Sequence, residues 1–301
     1  MSEYRLTMSA STADLKTISA NGVEFHYFEL GTGPLALCLH GFPDTAHSWL
    51  PVMGHIANAG YRAIAPNMRG YAPTSVPADG FYQTAALSLD AIALHEAFDA
   101  SDDAVIIGHD WGAPATYGAA LHSPSRWNKV VGMAVPPGPA LGAAFLGNLQ
   151  QLKRSWYMFF FQHGLADMIV PSNDHAFIDM LWNDWSPGFN STTAARHVKD
   201  ALASPANMAA ALGYYRATLG DGAKDPNLDS LQARMGGETP SQPLLYLHGR
   251  NDGCIGAEVA ELAGSMTGPN VKIEIVEDAG HFLQLEQPDK VGNRIAEWIT
   301  Q

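Results

Sequence analysis

The pentapeptide Gly108-His109-Asp110-Trp111-Gly112 sets a carboxylate between two glycines, just after an apolar run and just before a helical pattern. A turn with small residues on both sides can lift its central side chain clear of the backbone. It can also aim the N–H groups of a helix start at negative charge. A carboxylate presented this way cannot do what an activated hydroxyl does at a carbonyl. It can displace a leaving group from a saturated carbon, giving an ester on the protein that water must then hydrolyse. Read blandly, the same residues are a turn in which Asp110 caps a helix, and a motif this short does not separate the two readings. Partners elsewhere in the chain favour the chemical one. His281, in Glu277-Asp278-Ala279-Gly280-His281-Phe282, follows a strand pattern and could take a proton from water. Asp252, in Gly249-Arg250-Asn251-Asp252-Gly253, follows another and could orient His281 and stabilise its imidazolium. Asp278 is nearer to His281 in sequence but reads as a turn residue.

These side chains need strands that end beside one another. Val23 to Leu30, Leu35 to His40, Tyr61 to Ala65, Asp103 to Gly108 and Lys129 to Val135 read as strands. Helical patterns at Ala46 to Ala59, Thr84 to Phe98 and Ala113 to Leu121 alternate with them. Such alternation implies a mostly parallel sheet covered on both faces. After Pro136-Pro137-Gly138-Pro139 the pattern becomes helical and dense in aromatics, up to Gly236-Gly237. Strand signals return at Pro243 to His248 and Val271 to Val276, and the chain ends in the helical pattern Asp289 to Ile299. The strand–turn–helix around Asp110 resembles the nucleophile elbow of α/β hydrolases. That resemblance implies a mostly parallel eight-stranded sheet flanked by helices. Residues 1–136 and 238–301 would form this core, and 137–237 an inserted helical cap. The fold's order of nucleophile, acid and histidine is matched by Asp110, Asp252 and His281, and the segment after Lys129 to Val135 holds no competing acid. The backbone N–H groups of Phe42 and Trp111 are the expected oxyanion hole. His109 is read as packing against the elbow.

Three motifs together resemble the epoxide hydrolase branch of this family, from about Leu15 to the C-terminus: His40-Gly41-Phe42-Pro43, His109-Asp110-Trp111-Gly112 and Gly280-His281-Phe282. Haloalkane dehalogenases share all three. Epoxide hydrolases add two cap tyrosines that bind and protonate the epoxide oxygen. Tyr157-Met158-Phe159-Phe160-Phe161-Gln162 matches the first pattern at Tyr157, and Tyr214-Tyr215-Arg216 matches the second at Tyr215. Fluoroacetate dehalogenases carry Arg where this chain has Trp111. Asn67-Met68-Arg69-Gly70-Tyr71-Ala72 departs from the wider family, where Asp and Gly are commoner at the two ends. The resemblance implies a small hydrophobic epoxide and water as reactants, with His40, Pro43, Trp156 and Phe282 at the substrate pocket. His40 is also expected to hold its loop. A haloalkane dehalogenase and a catalytically silent ligand-binding protein are the competing readings.

Composition narrows the remaining classes. The 301 residues include 30 acids and 17 bases, a formal charge of −13, so nucleic acid and anionic membranes are poor partners. An apolar fraction of 47% supports a sizeable core. Two cysteines, Cys38 in an apolar run and Cys254 in a loop, make no disulfide framework. The opening Met1-Ser2-Glu3-Tyr4-Arg5 leads into polar residues without a signal peptide's apolar core, so a cytoplasmic setting is expected. No cofactor is implied, since neither zinc-type ligand spacing nor a phosphate loop occurs. A homodimer is left open.

Overall fold

The computed structural model describes residues 14–301. The opening Met1 to Arg5 lies outside them. In chain order the elements begin β1 (Lys16–Ala20), β2 (Val23–Leu30), β3 (Leu35–Leu39), α1 (Leu50–Asn58), β4 (Arg62–Pro66), α2 (Thr84–Ala97), β5 (Val105–His109), α3 (Gly112–His122) and β6 (Lys129–Met133). Eight helices follow: α4 (Ala140–Gly147), α5 (Leu149–Arg154), α6 (Trp156–Phe160), α7 (Ala166–Ile169), α8 (Ser172–Trp185), α9 (Thr192–Ala201), α10 (Pro205–Leu219) and α11 (Asp229–Met235). The chain closes with β7 (Leu244–Gly249), α12 (Ala257–Met266), β8 (Val271–Val276), α13 (Leu283–Glu286) and α14 (Pro288–Thr300).

One eight-stranded sheet runs in the order β1-β2-β4-β3-β5-β6-β7-β8. The β1–β2 and β2–β4 pairs are antiparallel, and the other pairs are parallel. β1 has no counterpart among the strands expected from sequence. It sits at the sheet edge, where Lys16, Thr17 and Ser19 are exposed and leave no apolar run.

Every residue of β3, β5 and β7 is buried, as a strand covered on both faces requires. Alternate residues supply the two faces. Ala36, Cys38, Val105 and Ile107 meet α1 and α14 through Val52, Ile56, Val291 and Ile295. Leu35, Leu37, Ile106 and Tyr246 point the other way, toward α2, α3 and α12. This second layer continues without a break into Tyr157, Leu181, Trp182 and Tyr215 of the helices between β6 and β7.

Those helices are fastened to the sheet at separate points. Trp182 stacks on Phe282 with ring centroids 3.4 Å apart, and its Nε1–H donates to the Pro43 carbonyl at 2.9 Å. The Trp185 carbonyl, at the end of α8, accepts the N–H groups of Gly253 and His281. Only glycine allows that approach, because a Cβ at Gly253 would overlap the Asp184 carbonyl and one at Gly280 would crowd Ser186. On α10, the Tyr214 hydroxyl donates to the Arg69 carbonyl at 2.9 Å. Arg69 is itself buried in a two-pronged pair with Asp90.

Candidate active site

β5 ends in a turn that only glycine-flanked sequence can make. Asp110 sits at a φ of 50°, a left-handed conformation costly for a residue with a Cβ. A Cβ at Gly108 would collide with the Gly112 carbonyl, and one at Gly112 with the Leu39 carbonyl. The bare glycines therefore let α3 start directly against β3 and β5. The Asp110 N–H is held by the Met133 carbonyl of the neighbouring strand at 3.1 Å.

The two oxygens of the Asp110 carboxylate face different partners. Oδ1 accepts the Phe42 N–H at 2.7 Å. Oδ2 lies 3.5 Å from Nε2 of His281. The Trp111 N–H makes no hydrogen bond to the carboxylate. On the far side of the imidazole, Nδ1 of His281 meets Oδ2 of Asp252 at 2.9 Å. The other Asp252 oxygen accepts the N–H groups of Cys254 and Ile255 at 2.7 and 2.9 Å. Parallel strand ends β5, β7 and β8 thus bring Asp110, Asp252 and His281 into one line.

Burial alone would keep the His281 imidazole neutral. The Asp252 charge, a contact with Asp110 and the hydrogen bond that Nδ1–H donates to Asp252 outweigh it and raise its pKa to about 10. Two carboxylates flank the ring, and their charges favour its protonated form. Burial likewise works against the Asp252 charge, but the His281 and His248 rings hold its pKa below the usual value. Burial drives His109 the other way, down to about 3, and the nearby His281 reinforces this. His109 is a buried neutral ring that pairs Nε2 with the His281 carbonyl at 2.9 Å.

Asp110 opens into a cavity of about 340 Å³ whose walls include Trp111, Met158, Leu141, Phe145, Val135 and Tyr215. Tyr215 is fully buried, and its hydroxyl reaches no partner in good hydrogen-bond geometry, with the Trp111 indole as the neighbouring donor. Tyr157 is buried beside it, with ring centroids 5.7 Å apart, and its hydroxyl lies 3.3 Å from Sγ of Cys254. Burial pushes both phenols well above their usual pKa, so both hydroxyls carry their protons. Tyr214 is turned away onto Arg69.

The expected pocket residues are placed differently. None of His40, Pro43, Trp156 and Phe282 is among the cavity walls, and of the two cap tyrosines only Tyr215 is. His40 has both ring nitrogens engaged, with Nδ1 donating to the Gly41 carbonyl and Nε2 accepting the Met68 N–H. It holds the loop that carries Phe42. Pro43 and Phe282 are taken up by Trp182. Trp156 is 43% exposed and packs against Phe160 and Phe177 on the outside of the cap. Two further residues have roles that the sequence did not announce. Trp185 acts through its backbone carbonyl, which no side-chain pattern announces. Cys254 was read as a loop residue, although it follows Asp252 by two positions and that spacing could have flagged it. Among the described residues, the ligand-type atoms of Asp110, Cys254 and His281 all lie within 4.8 Å of one another.

The sequence model for the alpha/beta hydrolase fold matches residues 34–288. The chain belongs to the alpha/beta hydrolase fold family. Known members of that family extend the likeness over nearly the whole chain. An epoxide hydrolase of Caballeronia sordidicola is 30% identical, over 94% of this chain and 92% of its own. Epoxide hydrolase A of Mycobacterium tuberculosis is 28% identical, over 97% of this chain and 98% of its own. Among solved structures, an inhibitor-bound Bacillus megaterium epoxide hydrolase superimposes with a TM-score of 0.79 at 23% identity, covering 95% of this hydrolase-fold chain and all of that one. This last likeness concerns the fold.

Proposed function

We propose that the protein is an epoxide hydrolase that opens a small hydrophobic epoxide to a vicinal diol through an ester on Asp110. The carrying observation is the arrangement at the Asp110 carboxylate: Oδ1 is held by Phe42, Oδ2 lies 3.5 Å from Nε2 of His281, and Asp110 borders the cavity that Tyr215 also lines. In the first step Oδ2 attacks a ring carbon and the carbon–oxygen bond breaks. Its electron pair stays on the ring oxygen, which takes a proton from Tyr215 or Tyr157. Esterification removes the Asp110 charge, one of the forces that keeps His281 protonated. His281 can then release its proton, balancing the one the tyrosine gave up, and become a base. It next activates water, which attacks the Asp110 carbonyl carbon. The negative charge that develops on Oδ1 falls at the Phe42 N–H, with the Trp111 N–H as the second expected donor. Collapse releases the diol carrying the original Oδ2. The names of the relatives support this reading.

A dehalogenase would need donors for a departing halide. Phe42 offers none from its side chain, the Trp182 N–H is committed to Pro43 and Trp156 faces outward, which leaves the indoles of Trp111, at the cavity wall, and Trp185 as the donors this second reading would use. The sharp test is a single turnover on a small epoxide such as styrene oxide in heavy-oxygen water. Label is expected in Asp110 and absent from the first diol. Label in that diol would overturn the ester route, and halide release from bromoalkanes without any diol would select the dehalogenase.

A further inference from the structure

The hydrolytic scheme uses Asp110 and His281 but leaves Cys254 without a task. This thiol is fully buried, faces the same point as both catalytic groups, and has only the Tyr157 hydroxyl in hydrogen-bond range of its sulfur. The Nε2 atom of His281 is buried with no hydrogen-bond partner, and it is aimed at that same point. A sulfur, an imidazole nitrogen and a carboxylate oxygen within 4.8 Å of one another are the donor types of a three-residue zinc-type site with one open position. We propose that Asp110, Cys254 and His281 form a capture site for a thiophilic divalent cation of the zinc class, and that capture shuts the active site.

Charge supports this choice of ion. A dication offsets the two charges of a thiolate and a carboxylate that ligate it together with a neutral imidazole, so the buried ligand set carries no net charge of its own. The surrounding contacts support it further. Asp252 binds Nδ1 of His281, the carboxylate–histidine–metal arrangement that orients a ligating ring and raises its basicity. The same Asp252 accepts the Cys254 N–H and so fixes sulfur and nitrogen relative to each other. Binding displaces the thiol proton and the proton on Nε2 to solvent, and no oxidant or reductant is involved. The cation then occupies the space between Oδ2 and Nε2, so Asp110 cannot attack and His281 cannot activate water. This blocking consequence rests on the proposed hydrolysis, whereas the binding does not.

The full chain is titrated with cadmium alone while the ultraviolet thiolate-to-cadmium charge-transfer band is followed. One saturating equivalent is expected, reversed by a chelator. Cys38, buried in the sheet, is the only other cysteine. The band is therefore expected to persist in Cys38→Ser and to vanish in Cys254→Ser or Cys254→Ala, whichever keeps the wild-type melting profile. Asp110→Asn should weaken binding by about tenfold or more. No saturable band in the wild type, or a band lost in Cys38→Ser, overturns the site. Zinc is then added during epoxide turnover, with chelator-reversible inhibition expected. Full activity at a zinc concentration that saturates the site overturns the blocking claim. If no epoxide turns over at all, the hydrolase reading fails while the cadmium titration still decides the site.

Discussion

The loops of the sheet and the helices of the cap meet at one cavity, but they position their residues by different means. Asp110, Asp252 and His281 sit immediately beyond β5, β7 and β8. Backbone bonds to Met133, Gly249 and Trp185 fix where each loop leaves the sheet. Tyr157 and Tyr215 ride on α6 and α10, and side-chain packing among Phe42, Phe161, Trp111 and Trp185 sets their place. Position in the core is therefore a property of backbone register, and in the cap a property of helix rotation. The first tolerates almost no added volume, whereas the second can adjust through rotamers.

The largest expected effect tests that intolerance. In Gly112→Ala the new methyl overlaps the carbonyls of Leu39 and His40, which are backbone and cannot swing aside. Destabilisation of about 3 kcal/mol or more and complete loss of turnover are expected, read by denaturant melts and by product formation. The matching change in the cap has the opposite sign. Gly142 lies within α4, and a methyl there meets nothing within 4 Å. Gly142→Ala should raise stability by about 0.5 kcal/mol. Comparable losses at both glycines would erase the distinction.

A smaller effect separates the two tyrosines. The Tyr215 hydroxyl is unpartnered beside the cavity, whereas that of Tyr157 already has Cys254. Tyr215→Phe should lower kcat/KM for an epoxide by about a hundredfold, within the range for losing a positioned acid. Tyr157→Phe should cost less, and the double variant should abolish ring opening. Equal losses in the single variants would mean the cap rearranges around substrate, and full activity in the double variant would remove both tyrosines from the chemistry.

The same contrast explains what sequence could reveal. β3, β5 and β7 announce themselves as unbroken apolar runs because both faces are covered, and the loops that follow them carry the candidate site residues wherever the chain next turns. Asp110 and Asp252 were legible for that reason, whereas His281 follows β8, a partly buried edge strand, and stood out by its place in the chain order of the three residues. β1 was not, since an edge strand with exposed Lys16 and Thr17 has no such run. The cavity wall was not legible either. Adjacent helical residues diverge by roughly 100°, so Tyr157 can be buried while its neighbour Trp156 faces solvent, and sequence order does not tell which way the helix is rolled. The expected role of Trp156 failed on this point, and that of Phe282, in the loop before α13, failed because its ring is stacked on Trp182. The elbow glycines, by contrast, were readable without knowing any packing partner.

The weakest expected effect concerns a seam where the two regions touch away from the cavity. His47, in the 3₁₀ turn before α1, stacks on His197 of α9 with ring centroids 3.8 Å apart and planes 5° from parallel. Burial lowers the pKa of His47 to about 4, and the His197 ring adds to this. Burial also lowers His197, with Asp200 opposing. Both rings are thus harder to protonate in the folded chain than in the unfolded chain, where the value is about 6.5. The unfolded state takes up more protons as pH falls, so the seam's full stability is present above about 6.5 and declines toward about 4. Buried His40, lowered to about 4, and His109, lowered to about 3, impose a decline of the same sign from inside the core. His197→Gln removes only the contribution shared across the seam. Its melting temperature should therefore fall less than that of the wild type between pH 7 and pH 5, with the two converging on the core-imposed decline. Parallel curves would mean that the stacked pair does not couple cap to core.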